Sequence, residues 1–257
     1  MKDRLPFHLE KEVELLRLTE DPRVCSYLPD KTASLEYRLI AGAGAETCQR
    51  LISRGWRRFG ICFFRPMCLL CSECRSLRVV VGRFRPSKSQ RRCLKRNPEI
   101  TVRLVRPEAS TRHIQLYNAY HQDMNRRRGW PYRPIAPEAY IESFVMGAGT
   151  FGHEMQYHAD GRMVGVGLID ILPAGISSVY FYHDPAWRRN GPGTFSILQE
   201  IRLAGSLGKP HLYLGYCIRE NPSMRYKSRF LPHECLDRYV ADGDPPSWRP
   251  PASPSPA

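Results

Sequence analysis

An α+β fold in two units is what this sequence predicts: a small basic unit, then a larger one built on a mixed β-sheet flanked by helices. Three observations predict it. The chain has 257 residues, 42% of them hydrophobic, enough for one large core or two modest ones. Its charge is uneven, since residues 50–130 hold 20 Arg or Lys against 4 Asp or Glu and the remainder holds 19 against 21. Finally, the second half runs strand, strand, helix, strand, with a Gly-rich turn before the helix.

Element by element, Leu9, Val13 and Leu16 recur at near-helical spacing and predict a helix over residues 8–18. A second helix, interrupted by glycine, is expected from Leu35 to Leu51. Trp56–Phe64 and Leu77–Val81 cluster β-formers as strands do. Ser87–Asn97 is polar and basic and predicts a helix that presents Arg91, Arg92, Lys95 and Arg96 outward, ended by Asn97-Pro98. Ile100–Val105 reads as a strand, and a helix follows from Pro107 to Met124, with a loop over Arg126–Arg133 behind it. The boundary between a 1–105 unit and a 106–244 unit is placed there.

In the second unit Arg162–Pro173 and Ile176–His183 form a hairpin across a Pro-Ala-Gly turn. Thr194–Ser206 is the helix, with Phe195, Leu198, Ile201 and Leu203 inward and Gly208 closing it. His211–Ile218 is the next strand. This order is the core of an N-acetyltransferase-like fold. The last 13 residues contain six prolines, which predicts a disordered tail over 245–257.

A basic block inside an otherwise balanced chain is the footprint of a polyanion, because each neutralised phosphate releases counterions. RNA, DNA and a membrane surface all qualify. Of the 39 basic residues 32 are Arg, the side chain suited to planar contacts with phosphate and carboxylate. No apolar run approaches the roughly 20 residues needed to span a bilayer, and the start of the chain lacks a signal-peptide core. A cytoplasmic protein without a membrane partner is expected. Its nine cysteines then read as metal ligands or buried apolar groups rather than disulfides.

Cys68, Cys71 and Cys74 have the Cys-x-x-Cys-x-x-Cys spacing of converging thiolates, but a closed site needs a fourth ligand. Cys25 is the leading candidate, with Cys62 and Cys93 behind it. Zinc or an iron–sulfur cluster would suit such a set. In the second unit, Arg188-Arg-Asn-Gly191-Pro-Gly193 resembles the turn with which acetyltransferases grip pyrophosphate, although Pro192 has no N–H to offer. Asp170, Tyr180, Tyr182, Asp184, Tyr213, Tyr216, Tyr226 and Lys227 cluster on the neighbouring strands. Period-2 geometry puts Tyr180 and Tyr182 on one face and Phe181 on the other, so the tyrosines can line a cleft suited to acyl transfer.

Together these segments resemble the aminoacyl-tRNA protein transferase family. The resemblance rests on Cys25-x-Tyr27-Leu-Pro29, Gly55-Trp-Arg-Arg-Phe-Gly60, Phe64-Arg-Pro-x-Cys68-x-x-Cys71-x-x-Cys74 and Phe84-x-Pro-Ser-Lys-Ser-Gln-Arg-Arg92. In the second half it rests on Asp160-Gly-Arg-x-Val-Gly-Val-Gly, Ser178-Val-Tyr-Phe-Tyr182, Tyr213-Leu-Gly-Tyr216 and Tyr226-Lys-x-x-Phe230. It covers roughly residues 20–235 and is nearest the bacterial aspartate/glutamate leucyltransferase branch. Cys25-Ser-Tyr-Leu stands where the arginine-transferring branch has Cys-Gly-Tyr-Cys, and Cys217 stands where Trp is usual.

The resemblance implies transfer of leucine from leucyl-tRNA to the N-terminal amine of proteins beginning with Asp or Glu, which marks them for degradation in an N-degron pathway. It implies Asp170, Tyr180, Tyr182, Glu200 and Lys227 around the chemistry. Arg75 and Arg78, helped by Lys88 and Gln90, would take the acceptor carboxylate. Arg91, Arg92, Arg96, Arg126, Arg127 and Arg128 would take tRNA phosphate. The ester is already activated, so no cofactor is required for the chemistry, and zinc or a cluster at Cys25, Cys68, Cys71 and Cys74 would be structural or regulatory. Competing readings are an arginyltransferase, an acetyl-CoA-dependent N-acetyltransferase and a non-catalytic RNA-binding adaptor. The oligomeric state is left open.

Overall fold

The computed structural model describes residues 11–251. Strand β1 (Val13–Thr19) opens a four-stranded antiparallel sheet in the order β1, β4 (Leu35–Ala41), β6 (Cys62–Pro66), β5 (Arg57–Phe59), with a short ribbon of β2 (Arg23–Val24) and β3 (Thr32–Ala33) beside it. Helix α1 (Ala45–Ser53) drops Cys48, Leu51 and Ile52 onto Ile40, Trp56 and Phe63.

Two helix expectations are corrected here. Val13–Thr19 is a strand whose seven residues are all exposed, so its leucines are placed by the ladder to β4 rather than by a helical core face. Residues 8–10 lie outside the described residues. Leu35–Leu51 divides into β4 and α1, because Gly42 takes φ +69° and turns the chain between them.

The second sheet has eight strands. Its order is β14 (Trp248–Arg249), β13 (His233–Leu236), β7 (Arg75–Val80), β12 (His211–Cys217), β11 (Gly175–His183), β10 (Arg162–Leu172), β9 (Gly152–Ala159), β8 (Thr101–Val105). Every neighbouring pair is antiparallel except β11 with β12. Strand β7, from the first part of the sequence, is inserted between β12 and β13, so both parts of the chain share this sheet.

Helices α2 (Lys88–Lys95) and α5 (Pro192–Ser206) cover one face. There Phe195, Leu198 and Ile201 meet Leu77, Ile176, Leu212 and Leu214. The opposite face is covered at one end by α1, against Leu172 and Tyr213. At the other end it is covered by α3 (Thr111–Arg128), α4 (Pro137–Tyr140) and a π-turn over Ile141–Val145, against Val166, Leu168 and Tyr182. Burying both faces explains why β10 reads as a continuous apolar run rather than an alternating one.

The hairpin, the helix and the strand expected from Arg162 to Ile218 are all present. The expected tail differs. Trp248 donates from Nε1 to Ser53 O at 2.9 Å and meets Tyr213 edge to face, so residues 248–249 are held as β14, while 252–257 lie outside the described residues. One indole supplies a buried apolar surface that the flanking prolines hide from a composition count.

Candidate active site

The parallel pair β11 and β12 is hydrogen-bonded only from Gly175–Ser177 to His211–Tyr213; beyond that the strands part. The orphaned carbonyls at this opening must find donors. They find two cations. Arg57, carried in from β5, reaches Ser178 O, Val179 O at 3.1 Å and Ser177 Oγ at 3.4 Å on the β11 side. Lys227 donates to Leu214 O at 2.8 Å and Tyr216 O at 2.9 Å on the β12 side.

Gly215 makes room for Arg57. It has φ +71°, and a Cβ there would lie 2.7 Å from the Arg57 guanidinium carbon. Gly215→Ala should therefore displace Arg57 and strain the backbone, lowering stability by roughly 1–3 kcal/mol. A melting curve checks it, and a variant as stable as the parent would deny the contact.

Glu200 comes up from α5 and is 1% exposed. Its Oε1 accepts from Ser196 Oγ at 3.1 Å, and Ser196 also contacts the Tyr157 hydroxyl at 3.0 Å. Its Oε2 is buried without a hydrogen-bond partner among the described residues. Burial pushes this carboxyl up to about 7, against the opposing pull of Ser178, Ser196, Arg57 and Lys227. Burial, then Arg57, draws Lys227 down to about 7. The opening thus holds two cations against one carboxylate, all part-buried or buried, with two groups poised near neutrality.

Asp170 sits elsewhere in the same sheet. It is 0% exposed, and both of its oxygens are taken by Arg58, at 3.1 Å from Nε and 2.5 Å from Nη2, with Cys48 Sγ at 3.8 Å. Tyr180 and Tyr182 do share a face, away from Phe181. Tyr182 is buried with its hydroxyl on that of Tyr140 at 2.6 Å, and Tyr180 meets His121 Nε2 at 2.9 Å. Burial raises both phenols well above the ordinary range.

The expected acceptor set separates as well. Arg75 is exposed and stands across from Cys217 on β12. Arg78 is paired with Glu234 at 2.7 Å and lies 4.5 Å over Trp248. Gln90 is committed to the N-terminus of α2, where Ser87 and Gln90 form a reciprocal cap, and its amide donates to Arg229 O at 3.2 Å. Lys88 is exposed on that helix.

Arg91, Arg92 and Arg96 are exposed on or just after α2, and Arg126, Arg127 and Arg128 are exposed at the end of α3. The short helical turn Pro185–Asn190 joins the two patches. Arg188 bonds Asp123 of α3 at 2.8 Å, while Asn190 donates to Arg96 O at 3.2 Å. Arg188 and Arg189 thereby extend the basic ridge. Pro192 occupies the first turn of α5, where its missing N–H leaves no gap in the helix ladder.

Cys25, Cys68, Cys71 and Cys74 line one cavity of about 490 Å³. Burial and then the neighbouring thiols Cys25, Cys68 and Cys71 push the Cys74 thiol up to about 12. Among the described residues no group of three or more His, Cys, Asp or Glu side chains is arranged to hold a metal ion. The thiols share a wall without forming a ligand cage.

Arg57 is the residue of this candidate site that sequence reasoning missed. Its signal was the Gly55-Trp-Arg-Arg-Phe-Gly60 run: two adjacent arginines in a three-residue strand point to opposite faces, so one pairs with Asp170 and the other enters the opening.

The sequence profile described as arginine-tRNA-protein transferase, N terminus, matches residues 23–92, and the one described as its C terminus matches residues 112–237. An aspartate/glutamate leucyltransferase of Helicobacter hepaticus is 37% identical over 92% of this chain and 98% of its own length. Proteins of the same name from Campylobacter jejuni (strain 81116) and Pseudoalteromonas atlantica are each 39% identical over 82% of this chain and 89% of theirs. Among solved structures, that of FemX superposes with a TM-score of 0.50 at 9% identity, covering 91% of this chain and 89% of that one, a likeness of fold alone. Two profiles met in order and relatives matched nearly end to end place the chain in one group: it belongs to the arginine-tRNA-protein transferase family.

Proposed function

We propose that this enzyme transfers the leucyl group of leucyl-tRNA to the N-terminal amine of proteins that begin with Asp or Glu. The observation that carries the reading is the opening between β11 and β12, where Arg57 and Lys227 outnumber Glu200. A buried surplus of positive charge suits an acidic side chain, whose carboxylate restores neutrality. Arg75, beside Cys217, extends the same field toward solvent. The names of the relatives supply the donor and acceptor classes. The sheet, opened between two parallel strands over a flanking helix, supports an N-acetyltransferase-like assignment for the 106–244 unit.

The acceptor amine must lose a proton before it attacks the ester carbonyl, forming the amide and expelling the ribose hydroxyl. Glu200, whose carboxyl is raised to near neutrality, accepts that proton. Two of the Lys227 N–H groups hold the carbonyls of Leu214 and Tyr216, which fixes its nitrogen at the opening. Arg57 and positioning do the rest, because the ester arrives activated. Asp170 serves by holding Arg58, next to Arg57 in the chain. The clustered thiols keep a packing role in this scheme, and no step runs through a metal.

The Arg ridge from α2 through Arg188–Arg189 to the end of α3 would meet the tRNA backbone. Replacing Arg126, Arg127 and Arg128 by Ala should weaken leucyl-tRNA binding and reduce its log–log salt slope by roughly one for each phosphate no longer neutralised. Filter binding across a salt series measures it; an unaltered slope removes these residues from the interface.

A further inference from the structure

The cavity of about 490 Å³ takes no part in the transfer scheme above, yet it shares a wall with the opening. Tyr216, whose carbonyl holds Lys227, is part of its lining, and Tyr27, another lining residue, lies within electrostatic range of Arg57. Its interior is mostly apolar, with Leu28, Phe64, Met67 and Ile218 joined by the thiols of Cys68 and Cys74. A thiol can act as a small, polarizable apolar surface. The volume falls within the roughly 300–1,000 Å³ that takes a drug-sized ligand, much more than one leucyl side chain requires.

At its mouth the cavity does not close. Leu69, in the lining, is 94% exposed, and its chain neighbour Leu70 is 99% exposed. Arg75 and Arg238, also in the lining, have no carboxylate partner among the described residues. A donor leucine needs a closed apolar slot. An acceptor is the first residue of a long chain and needs a path out.

Building on the acceptor reading above, we infer that this cavity reads the second residue of the acceptor protein and selects a large apolar side chain there. The exposed Leu69–Leu70 pair holds the residues that follow. The terminal Asp or Glu occupies the opening at Arg57, its successor fills the apolar cavity, and the chain leaves over the leucines. Specificity therefore extends past the acidic residue: Asp-Leu and Glu-Phe termini are good acceptors, Asp-Gly and Asp-Lys poor ones.

The test compares peptides that differ only in their second residue, Asp-Leu, Asp-Ala and Asp-Lys, with leucyl-tRNA in excess. The same peptides, fluorescently labelled at the C-terminus, are titrated without tRNA by anisotropy. Asp-Leu should exceed Asp-Ala by at least about tenfold in both kcat/KM and affinity. The surface variant L69S/L70S, which removes no buried contact, should raise the peptide KM and leave that of leucyl-tRNA unchanged. Transfer with equal kcat/KM for the three peptides overturns the inference. So does an L69S/L70S effect confined to leucyl-tRNA, which would give the apolar wall to the donor. Preferential binding of Asp-Leu without transfer would keep the cavity's role and overturn the transferase reading, so the two fail separately.

Discussion

Glu200→Gln should lower turnover by about 10²–10⁴-fold, the range a positioned acid or base contributes, while tRNA and peptide binding stay within a few-fold. The pH profile identifies the cause. Burial raises the Glu200 carboxyl to about 7, so the wild-type rate should fall about tenfold per unit below pH 7 and level off above it. In the Gln variant that limb should vanish with the carboxyl that sets it. A thermal measurement carries the opposite sign. A carboxyl raised on folding contributes stability that is fully present below its unfolded value near 4.5 and is lost as pH rises through about 7. The variant escapes that loss, so it should match or exceed the wild-type Tm at pH 8 while being nearly inactive. Equal activity, or a pH limb unmoved by the substitution, would remove Glu200 from the chemistry.

Arg58→Met should produce the largest loss of stability. Asp170 is fully buried and both of its oxygens depend on Arg58. Removing one partner of such a pair leaves an uncompensated charge and costs about 3–5 kcal/mol, a fall in Tm of roughly 6–20 °C for a chain of this size. The carbonyls of Gly60 and Gly147 lose their donor as well. The double variant Arg58→Met/Asp170→Leu should regain most of the loss, because a well-packed apolar pair replaces the ions without an orphan. Denaturant melts of both proteins decide it; a double variant no more stable than the single one would contradict the account. The same result would explain why Asp170, attractive in sequence as a catalytic carboxylate, is occupied before any substrate arrives.

Legibility in the sequence followed length scale. The β10–β11 hairpin, α5 and β12 were readable because each is a continuous run with a clear period and a turn signal. β1 was misread since Leu9, Val13 and Leu16 imitate a helical stripe, and only the ladder to β4 reveals the strand. β13 was missed because its pairing with β7 is set by a distant partner, whereas β9 pairs locally with β10 across Asp160-Gly161 and β14 is only two residues long. The site shows the same division. Lys227 was legible in the polar cluster on the neighbouring strands, and Glu200 through the family resemblance. Gln90 and Arg78 carry the right chemistry for an acceptor, but a helix cap and a cross-strand ion pair engage them. Arg57 was hidden in the reverse sense, as one of many arginines, until the parting of two strands made it the donor that their carbonyls require.

The most direct measurement is the transfer of labelled leucine or arginine from charged tRNA onto peptides identical except for Asp, Glu or Ala at the first position, with wild-type and Arg57→Met enzymes side by side. The account predicts leucine on the Asp and Glu peptides, little on the Ala peptide, and loss of the acidic preference when Arg57 is replaced. Leucine on the Ala peptide at an equal rate would contradict the placement of the acceptor carboxylate in the opening. Arginine in place of leucine, or no transfer from either donor, would contradict the proposed function itself.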